Sequence, residues 1–263
     1  MIRLFSTAYI TSNNKRTAEM RLCLERNLAL SAIDEVCLLV EGNPALPDTD
    51  PKLKTRPIDQ RPLLDDYVSW AREIHREGDI TLIANADIYF EESIALASQE
   101  LSENQAWALA RWDDCANGDT KLFYRNDSQD AWAFASIPEN LETNFPLGVP
   151  RCDNRLLFEM QACGLTVFNP GLSIKCHHLH DGVARDYSVA NDSGFVPEPY
   201  RYLWPHNLWP LGKTLNHNRA NPAAKVGWQL DQDKLNRSLP GRAINFIRRG
   251  CQRSGKSTDN TES

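Results

Sequence analysis

Four short runs of the sequence place polar side chains close enough together to do chemistry. The first is Asn85-Ala86-Asp87, directly after the apolar run Ile80–Ile83. A carboxylate at the end of a buried strand projects where α/β proteins bind ligands. A hard divalent cation needs only one or two such carboxylates when a substrate's phosphates supply the remaining oxygens. A plain turn is the ordinary alternative for Asn and Asp at this place. The second run is His177-His178-Leu179-His180. In an extended segment His178 and His180 share a side, and imidazole is a common ligand for Mn²⁺-like or softer ions. The zincin pattern HExxH is absent.

The third run, Pro146 to Arg155, has two prolines and a glycine leading into a helix-like stretch that opens near Asp153. The helix dipole favours a carboxylate there and keeps it ionised. Asp153 is then either a helix cap or a general base. The fourth is Ser128-Gln129-Asp130, just before the apolar run Ala131–Phe134. It places Asp130 at the edge of a site or in a turn. Lys54, Arg56 and Arg61 lie in the Pro-, Asp- and Lys-rich stretch 43–62, which reads as a long loop able to reach a diphosphate.

These residues need a scaffold, and the hydrophobic pattern describes one. Ile2–Phe5, Val36–Val40, Ile80–Ile83, Trp107–Leu109, Ala131–Phe134, Thr166–Phe168 and Leu172–Cys176 read as strands. The continuous apolar runs are those of strands buried on both faces. Helix-like segments alternate with them. Ser12, Asn13 and Asn14 cap the first, in which Ala18/Leu22 and Leu24/Leu28 recur at i, i+4. Leu64, Tyr67, Val68, Ala71 and Ile74 mark one face of the second. Further helices are expected near Glu92–Leu101 and over Cys152–Cys163. Such βα alternation predicts an α/β protein with a mostly parallel sheet flanked by helices. The expected organisation is a catalytic domain over residues 1–190, an irregular C-terminal extension over 191–253 that packs on it, and a disordered tail over 254–263.

Composition narrows the partners. With 29 basic and 35 acidic residues the net charge is −6, which argues against a nucleic-acid partner. No apolar run approaches the roughly 20 residues that span a bilayer. The opening MIRLFSTAYITSNNKR lacks the features of a signal peptide. Seven widely spaced cysteines without a CxxC pair suit a reducing cytosol, so a cytoplasmic location is expected. Arg242–Arg249 (RAINFIRR) is a short basic amphipathic stretch. A solvated or packing helix is the favoured reading over one lying on a membrane.

Taken together, ITLIANADIYF is similar to the DxD-type segment of GT-A glycosyltransferases. The chain more specifically resembles a group of bacterial and algal glycosyltransferase-like proteins. The segments that carry this are LFSTAYITSNNKRTAEMRLCLERNL, the NADIYF unit, ARWD, SQDAWAF, LGVPRCDNRLLFEMQACG and NPGLSIKCHHLH, in that order between about residues 3 and 187. The resemblance implies a GT-A-like (Rossmann-like) sheet, a nucleotide-sugar donor and a divalent cation, Mn²⁺ or Mg²⁺. It places the metal on Asp87, His178 and His180. The first position of the DxD-type motif is Asn85, which carries no charge. Asn85 joins Thr7, Glu41, Arg56 and Arg61 on the donor side. Asp153 becomes the base and Asp130 a group that positions the acceptor, an unidentified glycan, lipid or small molecule bearing a hydroxyl. The expected activity is metal-dependent glycosyl transfer. The alternatives are a nucleotidyltransferase, against which stands the lack of a Gly-rich phosphate loop near the N-terminus, and an inactive module that retains the fold.

Overall fold

A computed structural model describes residues 1–47, 49–115, 118–179 and 194–230. Met1–Gly227 form one compact unit, and Trp228–Ser263 a second, of which residues 228–230 are described. His180 and the stretch Arg242–Arg249 lie outside the described residues.

Among the described residues, the first unit is α/β, with a seven-stranded sheet in the order β10-β6-β9-β4-β1-β2-β3. These strands are β1 (Ile2–Tyr9), β2 (Glu35–Glu41), β3 (Leu53–Ile58), β4 (Ile80–Ala84), β6 (Gln105–Leu109), β9 (Ala131–Phe134) and β10 (Thr166–Phe168). All run parallel except β9, which is antiparallel to both β4 and β6. A second sheet of β5 (Ile88–Phe90), β7 (Arg111–Asp114), β8 (Thr120–Leu122) and β11 (Cys176–Leu179) has the order β5-β11-β7-β8.

Alternation along the strands divides the core between the two faces of the large sheet. Phe5, Leu39, Ile83 and Trp132 pack on one face with α2 (Leu64–Ile74) and α4 (Cys152–Ala162). Leu4, Leu38, Leu82 and Ala133 pack on the other with α1 (Asn14–Ala29) and with the 3₁₀ turn Glu92–Leu96 that runs into α3 (Ala97–Glu100). Every residue of β4 is buried, as a strand covered on both faces requires. Asn13 caps α1, its Oδ1 accepting from the amides of Lys15 and Arg16 at 3.1 and 3.2 Å.

Three expectations needed correction. The stretch 43–62 is not all loop, because Leu53–Ile58 is the parallel edge strand β3. Its Lys, Thr and Pro residues hide the strand pattern, and an edge position tolerates Pro57. The strand expected at Leu172–Cys176 begins at Cys176 and runs through His177 and His178 to Leu179, while residues 171–174 form turns and a bend. The buried side of α1 is Met20, Cys23, Asn27 and Leu28, and both Ala18 and Leu22 are exposed. Asn27 is buried for a polar reason: its amide donates to the Ile88 carbonyl at 2.8 Å and accepts from the Phe90 amide at 3.1 Å. That clamp fixes β5, the strand that begins one residue after Asp87. Among the described residues no helix is long and apolar enough to cross a membrane.

Candidate functional site

A cleft of about 610 Å³ opens at the C-terminal ends of the parallel strands. Each wall is delivered by a strand end or a helix start, which explains how residues distant in sequence meet there. β1 ends near Thr7 and Tyr9, β2 at Glu41 and β4 at Ala84, just before Asn85. β9 is antiparallel, so its start, not its end, lies at the cleft. Ala84 pairs with Ala131, and the Asn85 amide donates to the Asp130 carbonyl at 3.2 Å. A fully parallel sheet would have carried Asp130 to the opposite edge.

The second sheet brings in the histidines. β11 pairs antiparallel with β5 and parallel with β7, setting His178 opposite both Ile88 and Asp113. His178 therefore sits beside Asp87, with 2.8 Å between His178 Nε2 and Asp87 Oδ2. Its Nδ1 is 3.3 Å from Asp113 Oδ1. His177 faces the other way, its ring nitrogens 2.8 Å from Asp114 and 2.9 Å from Glu91.

The charges alternate across the cleft floor. Arg16, from the first turn of α1, donates through Nη1 to Asp87 Oδ2. Arg111 donates through Nε to Asp113 at 2.8 Å and through Nη1 to Asp130 Oδ2 at 3.1 Å. Burial opposes ionisation of Asp87, yet His178 and Arg16 hold its carboxyl well below the usual range. Burial likewise opposes charging His178, but Asp113 and Asp87 outweigh it and lift the imidazole to about 9. Opposite charges within hydrogen-bond reach win over desolvation in both cases.

Asp153 behaves oppositely, which corrects the expectation that its helix-start position keeps it ionised. It lies one residue into α4, whose N-cap is Arg151 at φ 71°. Its oxygens accept from the backbone amides of Asn154 and Gln129 at 2.9 and 3.3 Å. Burial, followed by the negative charge of Asp130, outweighs these bonds and raises its pKa to about 7. A helix-terminus dipole supplies only partial charge, whereas desolvation acts on the full one.

Of the residues marked from sequence, Thr7, Glu41, Arg61, Asn85, Asp87, Asp130, Asp153 and His178 all line this cleft. Arg56 does not. Held on β3, it pairs with Glu73 at 2.9 Å and stacks over Trp70, both on α2. Arg16 and Arg111 were not among the residues marked for the site. For Arg16 a signal existed: it follows the first strand and opens the first helix, the place where α/β proteins receive anions. For the Arg111–Asp113–His178 link there was none, since it depends on the pairing of β7 with β11.

Asn85 has a local explanation. Its Nδ2 donates to Asp130 Oδ1 at 3.0 Å. An aspartate there would set two carboxylates against each other, and one would keep its proton. Asn85→Asp should therefore be destabilised more at pH 8 than at pH 5, where one carboxyl retains its proton. Thermal melts at the two pH values measure this, and an equal change at both would show that the contact does not matter.

The donors also suit a hard divalent cation. Mg²⁺ and Mn²⁺ take carboxylate oxygen, and imidazole serves first-row ions. In an octahedral shell with bonds of about 2.1 Å, adjacent donors lie about 3 Å apart. The 2.8 Å between Asp87 Oδ2 and His178 Nε2 is close to that spacing. Among the described residues no group of three or more His, Cys, Asp or Glu side chains could hold a metal. The pair would thus supply two ligands, leaving the rest to phosphate and water.

No family model matches the chain, and no curated protein matches it in sequence. Solved structures align with it at low identity. The mannosyltransferase PcManGT from Pyrobaculum calidifontis, in complex with GDP-Man and Mn²⁺, aligns over 69% of this chain and 57% of its own, at 14% identity and TM-score 0.46. TarS from S. aureus aligns over 68% of this chain and 60% of its own, at 10% identity and TM-score 0.44. A putative glucose-1-phosphate thymidylyltransferase from Bacillus anthracis, in complex with a sucrose, aligns over 67% and 89%, at 10% identity and TM-score 0.39. The chain thus spans less than two thirds of the first two, at 57% and 60% of their lengths.

Proposed function

We propose that this chain is a GT-A-type glycosyltransferase that moves a sugar from a nucleotide-sugar donor to an acceptor hydroxyl. The observation that carries the reading is the meeting of Asp87 with His178, 91 residues apart in sequence, on one wall of a cleft that also holds the half-buried carboxyl of Asp153, raised toward neutrality. The strand ends at Thr7 and Glu41, together with Arg61, form the side of the cleft suited to the nucleotide. Asp87 and His178 would hold Mn²⁺ or Mg²⁺. When bound, the cation would neutralise charge on the diphosphate leaving group as a Lewis acid.

The remaining chemistry belongs to the protein. In an inverting transfer, the acceptor oxygen bonds to the anomeric carbon as the bond from that carbon to the donor phosphate breaks. The acceptor's proton passes to a carboxylate oxygen of Asp153. A base with a pKa near the working pH combines a populated ionised form with useful proton affinity. Asp130 serves this step through its charge, which raises Asp153, and through its place beside the acceptor. Arg111 and Asn85 hold Asp130 in position by both oxygens.

An assay of the purified protein with UDP- and GDP-sugars tests the reading. The expected result is release of the nucleoside diphosphate that needs a divalent cation and stops on chelation. Pyrophosphate release from a nucleoside triphosphate and a sugar phosphate would instead point to nucleotidyl transfer. Turnover of neither, with every common sugar nucleotide, would leave a binding module and overturn the proposal.

A further inference from the structure

Asp87 Oδ2 accepts from two groups at once, Arg16 Nη1 and His178 Nε2. Arg16 is braced there, its Nε donating to the Tyr9 hydroxyl at 3.2 Å. A cation seeking that oxygen must displace one of the two. The imidazole can itself become a ligand once Nε2 gives up its proton to solvent. A guanidinium never can, because it keeps its protons and offers no lone pair. Arg16 is therefore the group that has to yield. It is partly exposed, at 26% against 9% for Asp87, so it has room to move into the cleft it already lines. The next carboxylate within its reach, Glu19, is 3.8 Å from Nη1 and lines the same cleft.

We propose that Arg16 is an exchange cation. It neutralises Asp87 before a metal ion arrives, gives up that oxygen to the ion, and then grips the diphosphate of the donor. The proposal rests on the glycosyl-transfer reading, in particular on Asp87 as a metal ligand. It carries two effects of opposite sign. Removing Arg16 removes a competitor, so a divalent cation alone binds more tightly. It also removes a phosphate ligand, so diphosphate binds the metal-loaded protein more weakly. A purely structural ion pair predicts neither the tightening nor the opposition of signs.

The test uses the full chain and two probes, MnCl₂ alone and then inorganic pyrophosphate added to the Mn²⁺-saturated protein, both followed by calorimetry. Arg16→Ala should tighten Mn²⁺ binding about fivefold, the scale of a lost ion pair. It should weaken pyrophosphate about tenfold or more, the scale of a charge-assisted hydrogen bond. Arg16→Lys keeps the charge but not the fork and should fall between on both, and it serves as the folded comparison if the alanine variant melts early. Unchanged or weaker Mn²⁺ binding in both variants, or unchanged pyrophosphate binding, would overturn the role of Arg16 and leave the transferase reading standing. No Mn²⁺ uptake by the parent or either variant would overturn this role and the metal assignment together.

Discussion

Asp87→Ala is expected to abolish divalent-dependent binding of UDP or GDP, weakening it by at least about 100-fold, beyond the cost of a lost outer-shell partner. In the proposed site the carboxylate is one of two protein ligands to the cation, and His178 alone would not replace it. The fold should survive, since Arg16 retains Tyr9 and Glu19, and His178 retains Asp113. The variant should also show a changed pH dependence of stability. The His178 pKa is raised in the folded protein, so its contribution is complete below the unfolded value near 6.5 and is lost as pH rises through about 9. The Asp87 pKa is lowered, so its contribution is present above about 3.9 and lost as pH falls below it. Removing Asp87 should flatten both slopes. Calorimetric titration with nucleotide and Mn²⁺, alongside thermal melts across pH, measures both effects. Parent-like affinity in the variant would remove Asp87 from the metal site.

Asp153→Asn should lower turnover by about 100-fold or more, the scale of a lost acid–base group, with donor affinity unchanged. The parent's kcat/KM should rise with pH through about 7, because the base works only when ionised and its carboxyl is held near that value. The variant should lack that limb. The same shift has a stability consequence. A raised folded pKa means the contribution is present below about 3.9 and lost as pH climbs through about 7. Asparagine keeps one acceptor for the two backbone amides, so one of them loses its partner at about 1 kcal/mol. Removing a half-buried charge beside Asp130 opposes that loss, so the variant should match the parent's stability near pH 8. Rates and melting temperatures measured from pH 5 to 9 decide the matter. Parent-like turnover with the limb intact would make Asp153 a structural residue.

The strands that carry the cleft were legible in sequence because burial on both faces leaves an unbroken apolar run, as in Val36–Val40 and Ile80–Ile83. Asp87, Asp130 and Asp153 were legible for a related reason: each sits where such a run or a helix begins or ends. β3 was hidden by its exposed edge, where solvent relaxes the pattern. α5 (Leu211–Ala220) was missed because Thr214 is its one buried residue, so it shows no apolar stripe. The direction of β9 and the existence of a second sheet have no local signature, since both are properties of pairing. The charge network followed the same logic. Arg16 to Asp87 spans 71 residues and His178 to Asp87 spans 91, so neither ion pair has a spacing to recognise. The inverted behaviour of Asp153 was beyond sequence too, because it depends on how α4 and Gln129 crowd it and on the nearby charge of Asp130.

The most direct measurement is the anomalous scattering of manganese in crystals grown with Mn²⁺ and UDP or GDP. The account predicts one manganese peak bound by Asp87 and His178, with the diphosphate beside it in the cleft and Arg16 withdrawn from Asp87. Manganese bound away from this pair, or a nucleotide seated outside the cleft, would contradict it.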